Sequence, residues 1–392
     1  MASSPLIMRL VSASVAVSNR ASGIIRDIMK SGNLGIVEKG KNDLQTEADR
    51  SAQRCIVASL HKRFPEVAIF GEEALDPSEK IPAEFLEHES DEYVLKQECP
   101  EYLRNVADED VVIWVDPLDG TAEFTQGFLD HVTVLIGIAV KGNAVAGVIN
   151  QPWYNYQNPD KPLGRTIWGV MGLGGFGFLR EVPPKDKLIV TTSRSHSNML
   201  VTETVHSLNP NEVVRVGGTG HKVLLLIEGK VHAYVFASKG CKKWDTCAPE
   251  AVLHAVGGCL TDLHGIKMNY AKDVQRQNTG GMLATLMNEE DHRGIVAKIP
   301  ELAKDAMEQS SPAPELDFMG AKFGQNPQRG SNSEEKSNIP IGSNKVPSEE
   351  KKQAVDQSAV SPTPSTDSQG TTSSKSSQLS DSVQKETCTT KL

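Results

Sequence analysis

Residues 111–121 read Val-Val-Ile-Trp-Val-Asp-Pro-Leu-Asp-Gly-Thr and join an apolar run to a short acidic turn. The apolar residues at the start are typical of a strand that is buried on both faces. Asp116 and Asp119 then stand at the carboxyl end of that strand, where open α/β sheets bind ligands. Gly120 frees the backbone, and Thr121 begins a predicted helix whose unpaired N–H groups suit a phosphate. The stretch therefore predicts a ligand site, with an ordinary acidic turn that caps a helix as the alternative.

Three further acids occupy predicted elements that are distant in sequence. Glu72 follows a short predicted strand, and Asp49 lies on a predicted helix. Asp245 precedes a helix that we expect to start near Pro249, a residue type favoured in the first turn. Two carboxylates about 4 Å apart repel by roughly 4 kcal/mol at an effective dielectric near 20, so a cluster of acids takes up protons or binds cations. If these acids converge, oxygen ligands favour Mg²⁺, which supports phosphoryl transfer.

The rest of the pattern alternates strands and helices in two halves and predicts an α/β (α+β) chain. An N-terminal α+β domain over 1–170 is expected to carry the metal site, and a C-terminal α/β domain over 171–308 to complete the substrate site. Residues 74–110 are acidic, contain three prolines and predict an irregular or partly helical insertion. The predicted strands and helices are 6–30, 46–60, 67–70, 111–115, 131–140, 144–149, 166–170, 188–192, 196–208, 212–216, 221–228, 233–237, 248–256 and 280–285.

The C-terminal segment has a different composition. After residue 308 the chain is dominated by Ser, Thr, Pro, Lys, Glu and Gln, and no aromatic residue follows Phe323. Such a segment cannot bury enough apolar surface to offset its chain entropy. Residues 309–392 are therefore predicted to be disordered.

Charge and cysteine content restrict the partners and the compartment. A net charge of -9 argues against a nucleic-acid polymer as partner. No run approaches the roughly 18 apolar residues of a membrane span. The six cysteines include no CxxC pair, which indicates a reducing compartment. An amphipathic first helix is favoured over a mitochondrial presequence, so we expect a cytoplasmic monomer without a membrane partner.

Longer motifs identify a resemblance. The motifs are Gly71–Glu73, Asp116–Thr121 and Trp244–Asp245, with longer runs at 164–169, 192–197 and 240–250. Together they resemble the lithium-sensitive inositol monophosphatase superfamily over about residues 1–308, and the longer runs are similar to its branch that acts on nucleoside bisphosphates. The resemblance implies a layered α-β-α-β-α sandwich with the site between two halves. It also implies a phosphatase that converts adenosine 3′,5′-bisphosphate to AMP and phosphate by removing the 3′- (or 2′-) phosphate, with its 5′-phosphosulfate analogue as a further candidate substrate.

The resemblance also assigns roles to matching positions. Thr121, held by Asp49, would orient and deprotonate the attacking water. Two to three Mg²⁺ ions would be held by Glu72, Asp116, the backbone carbonyl of Leu118, Asp119 and Asp245. Contacts to the nucleoside monophosphate would come from Thr121, Ser193, His196, Gly218 and Lys222.

Two positions depart from the family pattern, and two other functions stay open. Ala122 stands where relatives often carry a lysine, and His221 before Lys222 is expected to alter nucleoside contacts. An inositol polyphosphate 1-phosphatase or inositol monophosphatase would use the same acids. A non-catalytic scaffold, whose tail recruits partners, is opposed by the intact acid set.

The GxGxxG match at 172–177 is predicted to be a bend between strands, because a strand and not a helix is expected over 178–184.

Overall fold

The structure, a computed structural model, describes residues 4–40, 43–75, 80–195 and 197–314 of the 392-residue chain. These residues belong to one compact unit that spans 1–328. A second unit over 329–392 lies outside the described residues. The same holds for His196 and for most of the tail that we predicted to be disordered.

The first two helices begin within one residue of their predicted starts. Helix α1 spans Leu6–Ser31 and ends at Gly32, which adopts a left-handed φ of 72°. A hairpin of β1 (Val37–Gly40) and β2 (Asp43–Gln45) follows. Helix α2 spans Glu47–Arg63, three residues beyond the predicted end at 60, and Thr46 caps its start.

A six-stranded sheet follows, ordered β3-β4-β5-β6-β7-β8. The first pair is parallel and the other pairs are antiparallel. In the predicted insertion, the described residues form α3 and three single turns of 3₁₀ helix, which confirms a partly helical segment. The elements are β3 (Ala68–Gly71), α3 (Glu92–Leu95), β4 (Val111–Asp119), α4 (Thr121–Thr125), β5 (Thr133–Val140), β6 (Asn143–Gln151), β7 (Arg165–Val170) and β8 (Gly174–Phe176), with the 3₁₀ turns at Ala83–Phe85, Glu101–Leu103, Asp108–Asp110 and Leu129–His131.

A five-stranded sheet completes the fold, ordered β10-β9-β11-β13-β12. Its first three strands are parallel, and β13 is antiparallel to both of its neighbours. The elements are β9 (Ile189–Ser193), α5 (Met199–Ser207), β10 (Glu212–Val216), α6 (Thr219–Ile227), β11 (Ala233–Phe236), α7 (Lys243–Ala255), β12 (Cys259–Thr261), β13 (Met282–Thr285), α8 (Glu289–Val296) and α9 (Glu301–Asp305).

Three hydrophobic clusters separate the layers. The first joins α1 and α2 to one face of the six-stranded sheet. The second contains α6 and α7 between the two sheets. The third joins α5, α8 and α9 to the outer face of the five-stranded sheet. The expected α-β-α-β-α sandwich is thus confirmed.

Two glycines let α7 lie directly on the six-stranded sheet. A Cβ at Gly137 would stand 2.6 Å from the backbone nitrogen of Ala248, and one at Gly147 would stand 2.5 Å from its oxygen. Such contacts are far inside van der Waals distance, so only glycine permits this approach. Strands β5 and β6 therefore fix the position of α7, whose first turn carries Asp245.

The predictions at the start of α5, at the start of α7 and over 178–184 were wrong, and capping or packing contacts decide the local structure there. Helix α5 begins at Met199 and not at 196, because the Asn198 side chain caps it by accepting a hydrogen bond from Val201 N. Helix α7 begins at Lys243, so Pro249 lies inside it and not in its first turn. The predicted strand over 178–184 does not form. Its backbone instead packs along the end of α6, where Glu181 N donates to Glu228 O at 2.9 Å.

No helix in the described ranges is long and apolar enough to cross a membrane. The five cysteines in these ranges are unpaired.

Candidate active site

One cavity of about 330 Å³ collects most of the residues that the sequence singles out. It lies where β4 and β9 end and where α4, α6 and α7 begin. Asp49 lies beside it through its contact with Thr121, and His196 is outside the described residues. The predicted residues that line the cavity are Glu72, Asp116, Leu118, Asp119, Thr121, Ser193, Gly218, Lys222 and Asp245.

Asp119 is held by the beginning of α6. Its Oδ1 accepts a hydrogen bond from Thr219 N at 2.8 Å. Its Oδ2 accepts from Gly220 N at 2.8 Å and from the Thr133 hydroxyl at 2.7 Å. The first N–H groups of a helix have no partner within the helix, and the helix dipole favours a carboxylate there. Burial raises the pKa of Asp119, while Lys222 and these hydrogen bonds oppose the rise.

Asp116 is buried, Asp245 is half-buried, and both acids repel their neighbours. Asp116 Oδ1 accepts from Leu118 N at 3.0 Å, and Asp245 Oδ2 accepts from Lys242 N at 2.8 Å. Burial, followed by the charge of Glu72, raises the pKa of Asp245 to about 8. The same two causes raise the pKa of Asp116 well above its ordinary value. A divalent cation would remove this repulsion and keep the carboxylates ionised.

The donor chemistry suits Mg²⁺, although the side chains are not in ligating positions. Within the described ranges, no three Asp, Glu, His or Cys side chains are close enough together to hold a metal ion as they stand. Asp116 and Asp245 each use one oxygen on a backbone N–H, and the other oxygen is available to a cation. Carboxylate and carbonyl oxygens are the ligands that Mg²⁺ prefers. Metal binding would therefore require small rotations of side chains that already share one cavity.

Thr121 and Asp49 form a hydrogen-bonded pair at the edge of the cavity. The Thr121 hydroxyl lies 3.0 Å from Asp49 Oδ1 and 3.2 Å from Leu118 O. Thr46 fixes the other Asp49 oxygen, because its N–H donates to Oδ2 at 2.8 Å in the capping box of α2. Burial raises the pKa of Asp49 to about 7. Asp49 is thus a buried acid, at 1% exposure, and not a surface one.

Lys222 is a buried lysine and not a solvated residue on the helix surface. It is 3% exposed, and its ammonium lies 5.1 Å from the centre of the Tyr234 ring. Burial lowers the pKa of Lys222, and Asp119 partly offsets this effect. The cavity thus contains one buried cation opposite the acids.

His221 faces away from this cavity, so its position does not support the expected effect on nucleoside contacts. It lines a second cavity of about 320 Å³ on the other side of α6. Burial lowers its pKa to about 3. The charged groups of that second cavity largely pair with each other, since Glu228 contacts both Arg165 and Lys230.

The sequence reasoning missed two lysines beside Glu72. The Lys39 ammonium lies 2.8 Å from Glu73 Oε1 and 3.4 Å from Glu72 Oε1. The Lys242 ammonium lies 3.6 Å from the same Glu72 oxygen. Lys242 could have been found from its place three residues before Asp245, whereas nothing in the β1–β2 hairpin sequence indicates Lys39.

The layered fold and the acid-lined cavity are the features expected of a metal-dependent phosphatase. The sequence model of the inositol monophosphatase family matches residues 8–303. The chain therefore belongs to this family, and it is a phosphatase and not a scaffold. Human 3′(2′),5′-bisphosphate nucleotidase 1 is 55% identical over 307 residues, covering 78% of this chain and 98% of the human protein. The protein of the same name in Dictyostelium discoideum is 38% identical over 300 residues, covering 73% of this chain and 95% of that protein.

Solved structures agree on the fold. The extragenic suppressor protein suhB of Bartonella henselae superposes with a TM-score of 0.54 at 21% identity, covering 74% of this chain and 97% of that one. An IMPase of Thermotoga maritima gives a TM-score of 0.52 at 20% identity, covering 75% of this chain and 97% of that one. At such identities the likeness shows the fold alone.

Proposed function

We propose that this phosphatase removes the 3′- or 2′-phosphate of adenosine 3′,5′-bisphosphate, giving AMP and phosphate, and that its 5′-phosphosulfate analogue is a second substrate. The observation that carries the proposal is the arrangement of Thr121 and Asp49 beside Asp116 and Asp119, with buried Lys222 in the same cavity. The named nucleotidases, which match over nearly their whole length, support this substrate.

Asp49 and Thr121 would activate the attacking water. The Thr121 hydroxyl oxygen takes a proton from water while its own proton passes to Asp49 Oδ1, 3.0 Å away. Two to three Mg²⁺ ions, held by Glu72, Asp116, Asp119, Asp245 and the Leu118 carbonyl, supply charge neutralisation and an acidified water when bound.

The remaining residues would bind the nucleotide. Lys222 is placed to contact the phosphate that is not cleaved, since a buried ammonium is a compact point charge. Gly218 has a φ of 67°, and a Cβ there would lie 2.6 Å from His131 O. Glycine is thus required at 218 by the protein's own packing, and both Gly218 and Ser193 line the cavity. The position of His196 in this scheme stays a prediction.

A cytoplasmic monomer is part of the same proposal. The unpaired cysteines in the described ranges accord with a reducing compartment.

Phosphate release from adenosine 3′,5′-bisphosphate tests the proposal. Activity should require Mg²⁺, disappear in EDTA, return on adding excess Mg²⁺, and fall in millimolar lithium. Inositol 1-phosphate and inositol 1,4-bisphosphate at equal concentration test the alternative function. Faster release from either inositol phosphate would favour that alternative, and release unaffected by EDTA would contradict the metal assignment.

A further inference from the structure

Glu123 is a buried acid beside the catalytic residues that the proposed mechanism does not use. It lies on α4, two residues after Thr121, and its side chain is 3% exposed. It lines the site cavity. Its Oε1 accepts a hydrogen bond from Arg194 Nη2 at 3.3 Å. This contact joins α4, at the end of the six-stranded sheet, to the segment that follows β9 of the other sheet.

Arg194 also contacts the residues that follow α4. Its Nη2 also donates to Gln126 Oε1 at 2.8 Å, and its guanidinium lies 4.2 Å from the centre of the Phe128 ring. Its backbone N–H donates to Val216 O at 3.1 Å. A planar guanidinium that donates to two acceptors and stacks on a ring is held in one orientation, which a lysine cannot reproduce.

The neighbours of Arg194 line the site. Ser193 and Ser195 both face the cavity, so Arg194 anchors the segment between them. Arg215 holds the same segment from another side, because its Nη1 donates to Ser197 Oγ at 3.1 Å. The segment is thus fixed by two arginines, of which only Arg194 connects it to α4 in these contacts.

Glu123 also fixes a second loop. A Cβ at Gly217 would lie 2.0 Å from Glu123 Cδ, so the Glu123 side chain occupies the space that a side chain at 217 would need. Gly217 N donates to His131 Nδ1 at 3.3 Å. The neighbouring Gly218 is one of the proposed nucleotide contacts. One carboxylate therefore sets the place of both loops relative to Thr121.

We infer that Glu123 and Arg194 are positioning residues that hold the nucleoside-binding segments, around Ser193 and Gly218, against the helix that carries Thr121. They determine affinity for the nucleoside part of the substrate and leave the chemical step to other groups. The inference rests on the proposed function, since it assumes that the ligand carries a nucleoside.

Activity on two substrates distinguishes a role in positioning the nucleoside-binding segments from a role in overall stability. Adenosine 3′,5′-bisphosphate engages both loops, whereas p-nitrophenyl phosphate has no nucleoside and needs only the acids and Thr121. In Arg194→Met we expect KM for the nucleotide to rise about tenfold, as for loss of a charged hydrogen bond. Its kcat for p-nitrophenyl phosphate should stay within about twofold of wild type. Arg194→Lys should recover only part of the affinity, and Glu123→Gln, which keeps the shape, should show the same split.

Arg104→Met is the matched control, because Arg104 pairs with Glu98 at 2.7 Å in the insertion. It should leave both substrates unchanged. The inference would be overturned if Arg194→Met lost equal activity on both substrates, or if its KM for the nucleotide were unchanged. The proposed function would still stand in either case, provided that the wild type hydrolyses the nucleotide. A wild type that is inactive on the nucleotide but active on p-nitrophenyl phosphate would overturn both.

Discussion

The hydroxyl of Thr121 lies 3.0 Å from Oδ1 of Asp49, although 72 residues separate them in sequence. Asp49 has a second task, since its Oδ2 accepts the Thr46 N–H at the start of α2. One carboxylate thus caps a helix and, in the proposed mechanism, would receive the Thr121 proton. The two tasks differ in what their loss would change, which makes them separable by mutation.

Asp49→Asn should lower kcat by about 10²- to 10⁴-fold, because an amide cannot take up the proton from Thr121. The weaker cap should also cost about 1 kcal/mol of unfolding free energy. Initial rates of phosphate release and urea unfolding measure the two effects. Thr46→Ala is the control that weakens the same cap and keeps the carboxylate. It removes the hydroxyl that accepts from Ala48 N and donates to Asp49 Oδ2, so it should lose similar stability and keep most activity. Equal losses of activity in the two variants would show that Asp49 acts only through folding.

Asp119→Asn and Asp245→Asn should both abolish turnover, but only the first should strongly destabilise the fold. From the sequence alone, Asp119→Asn is expected to fold normally. The structure shows that both Asp119 oxygens accept backbone N–H groups of α6, so an amide must place its own donor against one of them. We expect a cost of about 1–3 kcal/mol for that mismatch.

Asp245 uses one oxygen in a hydrogen bond, to Lys242 N, which an asparagine can retain. Thermal unfolding without added metal compares the two variants. A melting temperature of Asp119→Asn equal to that of Asp245→Asn would contradict the contact with α6.

Gly147→Ala should destabilise the protein by about 1–3 kcal/mol, because the added methyl would enter the backbone of α7. The Cβ would lie 2.5 Å from Ala248 O. Gly23→Ala is the opposite case, since nothing lies within 4 Å of a Cβ at that position of α1. It should stabilise the protein by about 0.5–1 kcal/mol. Urea unfolding of both variants tests the close packing, and a neutral Gly147→Ala would refute it.

The unfolding free energy should decrease as the pH is lowered, because His292 is buried in its neutral form. This buried ring bonds the hydroxyls of Thr261 at 2.9 Å and Thr285 at 2.8 Å, and burial lowers its pKa to about 4. The unfolded state, with an ordinary histidine pKa near 6.5, takes up the proton first as the pH falls. The stabilisation is therefore complete above about pH 6.5 and is lost towards pH 4, by at most ~3 kcal/mol.

Urea unfolding of wild type and His292→Gln at pH 8, 6 and 4.5 checks this effect. The variant should be less stable at pH 8, and the difference should shrink as the pH falls. A difference that is the same at every pH would exclude His292 as the source.

Local sequence signals were sufficient to predict an element when its structure depends only on residues within that element. The apolar run at 111–115 predicts β4, and Gly32 predicts the end of α1, because each rests on burial or backbone conformation. The start of α7 was missed because Pro249 suits a first turn. Packing against Gly137 and Gly147 instead extends the helix by five residues on its N-terminal side.

The sequence patterns do not predict which residues of distant segments contact each other. The motif around Asp116 predicts an acid cluster, and the structure brings its members to one cavity. It does not predict that Asp119 bonds the N-terminus of α6, or that Arg194 bonds Glu123, since these pairs depend on how the two sheets stack. The ligand roles of the acids and the domain boundary at 170/171 stay predictions.

The bond between Asp119 and Thr219 spans 100 residues, which has a consequence for synthesis on the ribosome. When β4 leaves the exit tunnel, the N–H groups that will satisfy its terminal carboxylate have not yet been translated. Until α6 emerges, this carboxylate lacks the N–H donors of the helix and must rely on water and on the Thr133 hydroxyl. Ribosome-bound chains arrested before residue 219 should therefore be inactive, however well their first sheet has formed.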